Sequence, residues 1–254
     1  MNASARITRY GVLALCFGSQ ISRVASEEGG PLWRWKESTP GVKLEIRENY
    51  RTKKSGTLRI GYSLLSAGFP QGHRYLFYLW TFGKADGWLM MSGFSADAAG
   101  RLTCDEPIPP AVAAKGDRRC PYDLEKLETV FTPKGKGIPF QAAILSEDGD
   151  VKAFARAVPL PIDFTQGGCR LSAEPISEDL GDYLIQGEGY TPGEVVNWTA
   201  RTQGLSQENQ TKASETGKFV VELHPGVSGA DGGKVEFTAT GVKCNPALLF
   251  HWGK

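Results

Sequence analysis

Apolar and polar residues alternate with a period of two over much of the chain. Leu58, Ile60, Tyr62 and Leu64 form one alternating set, Tyr75, Phe77 and Leu79 a second, and Val196, Trp198 and Ala200 a third. Side chains point to opposite faces along a strand, so this spacing predicts antiparallel strands that each bury one face. Turn residues follow at short intervals, as in a sandwich. Asp148-Gly149 predicts a type I′ hairpin between residues 140–145 and 151–157. Helical spacing occurs once, where Leu124, Leu127 and Phe131 share a side, predicting a short helix over residues 123–131. The Pro- and Gly-containing stretch at 158–168 reads as an extended linker. The expected architecture is all-β, with one antiparallel sandwich over residues 27–157 and a second over 169–254.

An internal repeat supports two related domains. Tyr62, Gly68, Gly72, Thr81 and Gly83 match Tyr183, Gly189, Gly193, Thr202 and Gly204 at a constant offset. Ala96 to Leu102, with Gly100, then matches Ala213 to Phe219, with Gly217, and Phe140-Gln-Ala-Ala matches Phe237-Thr-Ala-Thr. Between Gly100 and Phe140 the first copy carries twenty additional residues, which include Cys104 and Cys120. The shared Gly-aromatic segment is turn chemistry, because Gly permits positive φ and Pro fixes φ.

The pattern Gly-x-Gly-(Phe/Tyr)-x-Pro-Gly-Glu, here Gly187 to Glu194, resembles the immunoglobulin-like repeats of many secreted and surface-attached bacterial proteins. The C-terminal copy resembles them over most of its length. The N-terminal copy diverges, with Gln71 in place of Pro, His73 in place of Glu, and the insertion. The resemblance implies tandem immunoglobulin-like β-sandwiches and a life outside the cytoplasm. It brings no catalytic residues, and such folds host many roles.

The N-terminus agrees with export. Arg6 and Arg9 precede a short apolar stretch at 10–17, and Val24-Ala25-Ser26 offers small residues for cleavage after Ser26. A competing reading takes Leu13-Ala14-Leu15-Cys16 as a lipoprotein signal, although Leu15 occupies a position that normally needs a small residue. Removing residues 1–26 takes Arg6, Arg9 and Arg23 with it, so 29 − 3 = 26 basic residues face 28 acidic ones. No basic stripe stands out, which argues against nucleic acid as a partner. No second apolar stretch approaches the length needed to span a bilayer, so no transmembrane segment is expected in the mature chain.

Cys104, Cys120, Cys169 and Cys244 remain after cleavage, an even number suited to an oxidising compartment. Proximity within each domain predicts Cys104–Cys120 and Cys169–Cys244. No C-x-x-C occurs, and no zinc site or other cofactor is expected. Neither G-x-S-x-G, H-E-x-x-H nor a Walker loop is present. His73, His224 and His251 lack a partner motif and read as structural or solvated. Glu147-Asp148-Gly149-Asp150 lacks calcium-loop spacing and reads as a hairpin. Asn197 and Asn209 begin glycosylation sequons, chance matches if the source is bacterial.

The aromatic residues carry the only binding signal. With Tyr75, Phe77 and Leu79 facing the core, Leu76, Tyr78 and Trp80 face outward. The second copy places Asn197, Thr199 and Arg201 there. An apolar outer face invites either cover by the chain itself, through residues 27–56 with Trp33 and Trp35 or the insertion, or a ligand that stacks on Tyr78, Trp80 and Trp88. The expected function is a non-enzymatic binding or structural module of the cell envelope or secreted fraction. Its expected partner is a glycan or an envelope protein. The alternative is a secreted enzyme with a site at the domain interface.

Overall fold

The computed structural model describes residues 37–83, 88–108 and 117–253, and the expected signal, Cys16, Trp33 and Trp35 lie outside them. Two antiparallel sandwiches follow one another. In the first, β1 (Lys43–Lys54), β2 (Thr57–Ala67) and β6 (Glu128–Phe131) form one sheet in the order β1-β2-β6. Its second sheet joins β3 (Tyr75–Thr81), β4 (Trp88–Ala96), β5 (Leu102–Cys104), β7 (Phe140–Ser146) and β8 (Lys152–Ala157) in the order β5-β4-β3-β7-β8. In the second sandwich, β9 (Ile162–Gln166), β10 (Cys169–Pro175), β11 (Tyr183–Glu188) and β14 (Phe219–Leu223) run β14-β11-β10-β9. They face β12 (Val195–Thr202), β13 (Leu205–Lys212), β15 (Gly232–Thr240) and β16 (Ala247–Gly253), ordered β13-β12-β15-β16. Each sandwich has its own core. Tyr75, Phe77 and Leu79 are buried in the first, and Val196, Trp198 and Ala200 in the second, as alternation predicts.

The repeated glycines explain why the motif occurs twice. Gly68 and Gly189 both have positive φ, 75° and 84°. A Cβ on Gly68 would lie 2.2 Å from the Gly41 carbonyl oxygen, and one on Gly189 would lie 2.3 Å from that of Gly168. The next residue, Phe69 or Tyr190, is a buried plug. Its N–H donates to the carbonyl of Gly100 or Gly217, at 3.1 Å in both copies. The motif is therefore a closure of one sandwich end, in which only glycine permits the backbones to meet. Gly189→Ala is expected to destabilise the protein by about 2–3 kcal/mol, against about 1 kcal/mol for Gly193→Ala. Gly193 has positive φ but nothing closer than 4.0 Å to its would-be Cβ. Urea melts of the two variants separate crowding from φ strain, and equal losses would refute the crowding.

Three sequence expectations change. Residues 123–131 are not a helix: a single 3₁₀ turn, Leu124–Lys126, leads into β6, which pairs with β2. Leu124 and Leu127 are buried, and Phe131 packs against the same core, stacking on Phe140 at 3.9 Å. One turn followed by a strand leaves the same spacing of apolar residues as a helix. The linker is shorter than expected, because β9 adds to the second sandwich by pairing with β10. The hairpin at Asp148-Gly149 is not type I′, since Gly149 alone has positive φ (83°) in that turn. Turns with two positive φ values occur instead at Ser55-Gly56, Gly167-Gly168 and Gln203-Gly204.

Asp148 holds the β7–β8 turn. Its carboxylate accepts from the Ser146 hydroxyl at 2.5 Å and the Asp150 N–H at 3.1 Å, and lies 2.7 Å from His73 Nδ1. These bonds, the Ser146 hydroxyl first, lower its pKa from 3.8 to about 2. A depressed carboxylate stabilises the fold above its ordinary pKa and loses that contribution as the pH falls through its folded value. Wild type is expected to melt above Asp148→Asn at pH 6, with the gap closing as the pH falls from about 4 to about 2. A gap independent of pH would show that the carboxylate charge is not involved.

Candidate functional site

The outer face of β3, β7 and β8 carries aromatic residues that the sequence singles out. Register places Tyr78 opposite Ala143, and Ala143 opposite Phe154, in one row across β3, β7 and β8. Trp80, Gln141 and Arg156 form the next row, and Leu89 of β4 stands beside Tyr78. Directly paired residues share a face, so these side chains lie on the outer side of the sheet. Tyr78 and Trp80 stack at 5.8 Å between ring centroids. Trp80 and Ala143 are buried there in a satellite cluster with Tyr78, Phe82 and Phe154. Trp80 is 7% exposed, too little for a platform open to a sugar ring. Trp88 is 47% exposed but pairs with core-facing Leu79, so it does not join Tyr78 and Trp80.

The second surface lies at the joint between the sandwiches. Residues 158–161 connect β8 to β9, and several contacts cross this joint. Arg156 pairs with Glu174 of β10. Arg51 Nη2 donates to the Pro159 carbonyl at 3.0 Å, and the Gly137 N–H to that of Leu160 at 2.6 Å. Gly137 packs so closely that a Cβ would lie 2.8 Å from Ile162 Cδ1. The connection is thus clamped from several sides.

Beside the clamp lies a groove of about 300 Å³, walled by Val158, Pro161 and the outer faces of β10 and β11. Arg170, Ser172, Gln186 and Glu188 line it. The charged members are held by neighbours: Arg170 donates to Asp163 Oδ2 at 2.7 Å, and Lys218 Nζ to Glu188 Oε1 at 2.7 Å. The bond from Lys218 holds the Glu188 carboxyl below its ordinary pKa. A carboxylate lowered in this way is a poor proton donor near neutral pH. Ser172 and Gln186 add a hydroxyl and an amide between these fixed charges. The sequence gives no hint of this groove, because its residues are the ordinary polar half of two alternating strands. Only the path of residues 158–161 turns that face into a concavity.

The disulfides are Cys104–Cys120 and Cys169–Cys244, the pairing that proximity predicts. The first staples the insertion, which also bridges β4 between Ser92 and Arg119. His73 and His224 each bind a loop aspartate, Asp148 and Asp182, and the His251 carbonyl accepts from the Tyr183 hydroxyl. Among the described residues, no group of three His, Cys, Asp or Glu side chains is placed to hold a metal ion. No helix among them is long and apolar enough to cross a membrane.

No protein-family profile matches the chain, and no curated protein resembles it in sequence. Among solved structures, it is similar to a tetra-tandem repeat from the extending region of a large adhesion protein, with 10% identity and a TM-score of 0.25. That match covers 84% of this chain and 48% of the other. It is also similar to the FN1–FN3 domains of chicken CNTN1, with 8% identity, a TM-score of 0.22, and coverage of 84% and 66%. The chain spans less than two thirds of either structure.

Proposed function

We propose that this protein is a non-enzymatic binding module that works outside the cytoplasm, with the groove at the joint as its ligand site. The clamped joint carries this reading. A groove between freely moving domains would lose its shape, whereas this one is backed by β10 and β11 and walled by a connection tied down through Arg51, Gly137 and Arg156. Preorganised polar groups bind at lower entropic cost. The ligand class that fits is a neutral glycan, as part of the envelope or of the surface the protein meets. Its hydroxyls find donors and acceptors in Arg170, Ser172, Gln186 and Glu188, and its apolar face finds Val158 and Pro161. Two disulfides suit an oxidising compartment, periplasmic or extracellular.

Glycan-array binding followed by calorimetry tests the assignment. Arg170→Ala with Gln186→Ala is expected to abolish binding, while Trp80→Phe leaves it intact. Binding unaffected by the groove variant would reject the site. Cleavage of a bound glycan would replace this reading with the enzymatic one.

A further inference from the structure

We propose that the outer face of the β1–β2 hairpin binds acidic sugar residues of a linear polysaccharide, with Tyr50 as the platform and Arg59 and Lys54 as the anion contacts. This site is separate from the groove, which none of its residues borders. Residues 51–59 carry Arg51, Lys53, Lys54 and Arg59 and no acid, leaving 29 − 4 = 25 basic residues against 28 acidic ones in the rest of the chain. The hairpin end is thus a cationic projection from a slightly acidic protein. All four cations are exposed. Arg51 is occupied by Glu48 and the Pro159 carbonyl, but among the described residues no ion pair or side-chain hydrogen bond engages Lys53, Lys54 or Arg59.

Ile60 and Tyr62 point into the core, so Arg59 and Gly61 point outward. Tyr50 pairs with Gly61, and Gly61 with Val130 of β6. Thr52 with Arg59 forms the next row toward the tip, and Lys54 with Thr57 the last. A bulge between Glu48 and Tyr50 sets this register. Without its extra residue, Tyr50 would oppose Ile60 and face the core. Gly61 leaves room for the ring: a Cβ there would lie 2.5 Å from Tyr50 Cζ, so the ring lies across the neighbouring strand. The Tyr50 hydroxyl donates to Glu128 Oε1 at 2.6 Å, which fixes the ring in place while 37% of the residue stays exposed.

A fixed, partly open ring beside two unengaged cations suits a sugar acid. The apolar side of a pyranose packs on the ring, and Arg59 takes its carboxylate in a charge-assisted pair. Thr52, Thr57 and the Glu128 carboxylate offer partners to its hydroxyls. Lys54 stands one row on, for a second carboxylate along the polymer. The same features disfavour other polyanions. Single-stranded nucleic acid stacks successive bases on several rings, and here one ring stands among the cations. A lipid surface is gripped by buried apolar side chains, and the hairpin tip is Ser55-Gly56.

The test titrates the whole disulfide-bonded chain with oligogalacturonate, alginate and hyaluronate in a calorimeter. At least one is expected to bind, with an affinity that falls as salt is added. Arg59→Gln with Lys54→Gln is expected to weaken that binding by about tenfold or more, and so is Tyr50→Ala. Both variants should melt close to wild type, because the replaced side chains are exposed. Arg170→Ala with Gln186→Ala should leave this binding unchanged, which separates the hairpin from the groove. Failure of all three polymers to bind would overturn the proposal, as would undiminished binding in the Arg59→Gln, Lys54→Gln variant. Equal affinity for methyl-esterified oligogalacturonate, or tighter binding of a thymidine oligonucleotide or of phosphatidylglycerol vesicles, would overturn it too.

Discussion

Removing the Cys169–Cys244 bond by replacing both cysteines with alanine is expected to cost about 4.5 kcal/mol of stability. The bond closes 75 residues of chain, and the loop entropy removed from the unfolded state grows with that length. Cys104–Cys120 closes 16 residues, for which the same relation yields about 3 kcal/mol. Position reinforces the ranking. Cys169 is fully buried at the start of β10, and Cys244 lies just ahead of β16, so their bond ties together strands from the two sheets of the second sandwich. Cys104–Cys120 fastens an insertion at the margin of the first. Denaturant melts of the two double variants without reductant give the comparison. A smaller loss for the long loop than for the short one would reject the entropic account. The two losses should add in the quadruple variant, since the bonds belong to separate cores.

The second large effect is expected at Trp80. Truncation to alanine should destabilise the protein by about 3–5 kcal/mol, the range for a buried aromatic. The satellite cluster around Trp80 is then part of the folded structure in its own right. Trp80→Phe should cost far less, about 1 kcal/mol, because the ring is mostly kept and the deleted N–H has no partner among the described residues. Thermal melts of both variants, beside their glycan affinity, distinguish cover from contact. If Trp80→Ala leaves stability unchanged and removes binding, the aromatic face, not the groove, is the ligand site.

Much of the fold was legible because a strand in a two-layer sandwich leaves a direct trace. Alternation identified Tyr75, Phe77 and Leu79 as core residues and Trp80 as outward-facing, and pairing across β3, β7 and β8 agrees. The repeat was legible for a related reason. Gly68 and Gly189 sit where a carbonyl oxygen occupies the place of a side chain, so no other residue can stand in either copy without strain. Cysteine pairing followed from simple proximity within each domain. The reading failed where two structures leave one trace. Leu124, Leu127 and Phe131 face a common core from a 3₁₀ turn plus a strand as readily as from a helix.

What the sequence by itself determined is therefore mostly local: which alternating segments are strands, which face each of those strands buries, where glycine is obligatory, and which cysteines are near enough to join. These depend on periodicity and on backbone sterics, which act over a few residues. The tertiary structure alone decided that residues 162–166 pair with β10, that Trp88 faces away from Tyr78 and Trp80, and that Ser172 and Gln186 border a groove. Those outcomes depend on how whole sheets meet and on the path taken by residues 158–161. Polar side chains on a solvated strand face look alike in sequence whether they border a concavity or open water, since the wall that distinguishes them comes from a distant part of the chain.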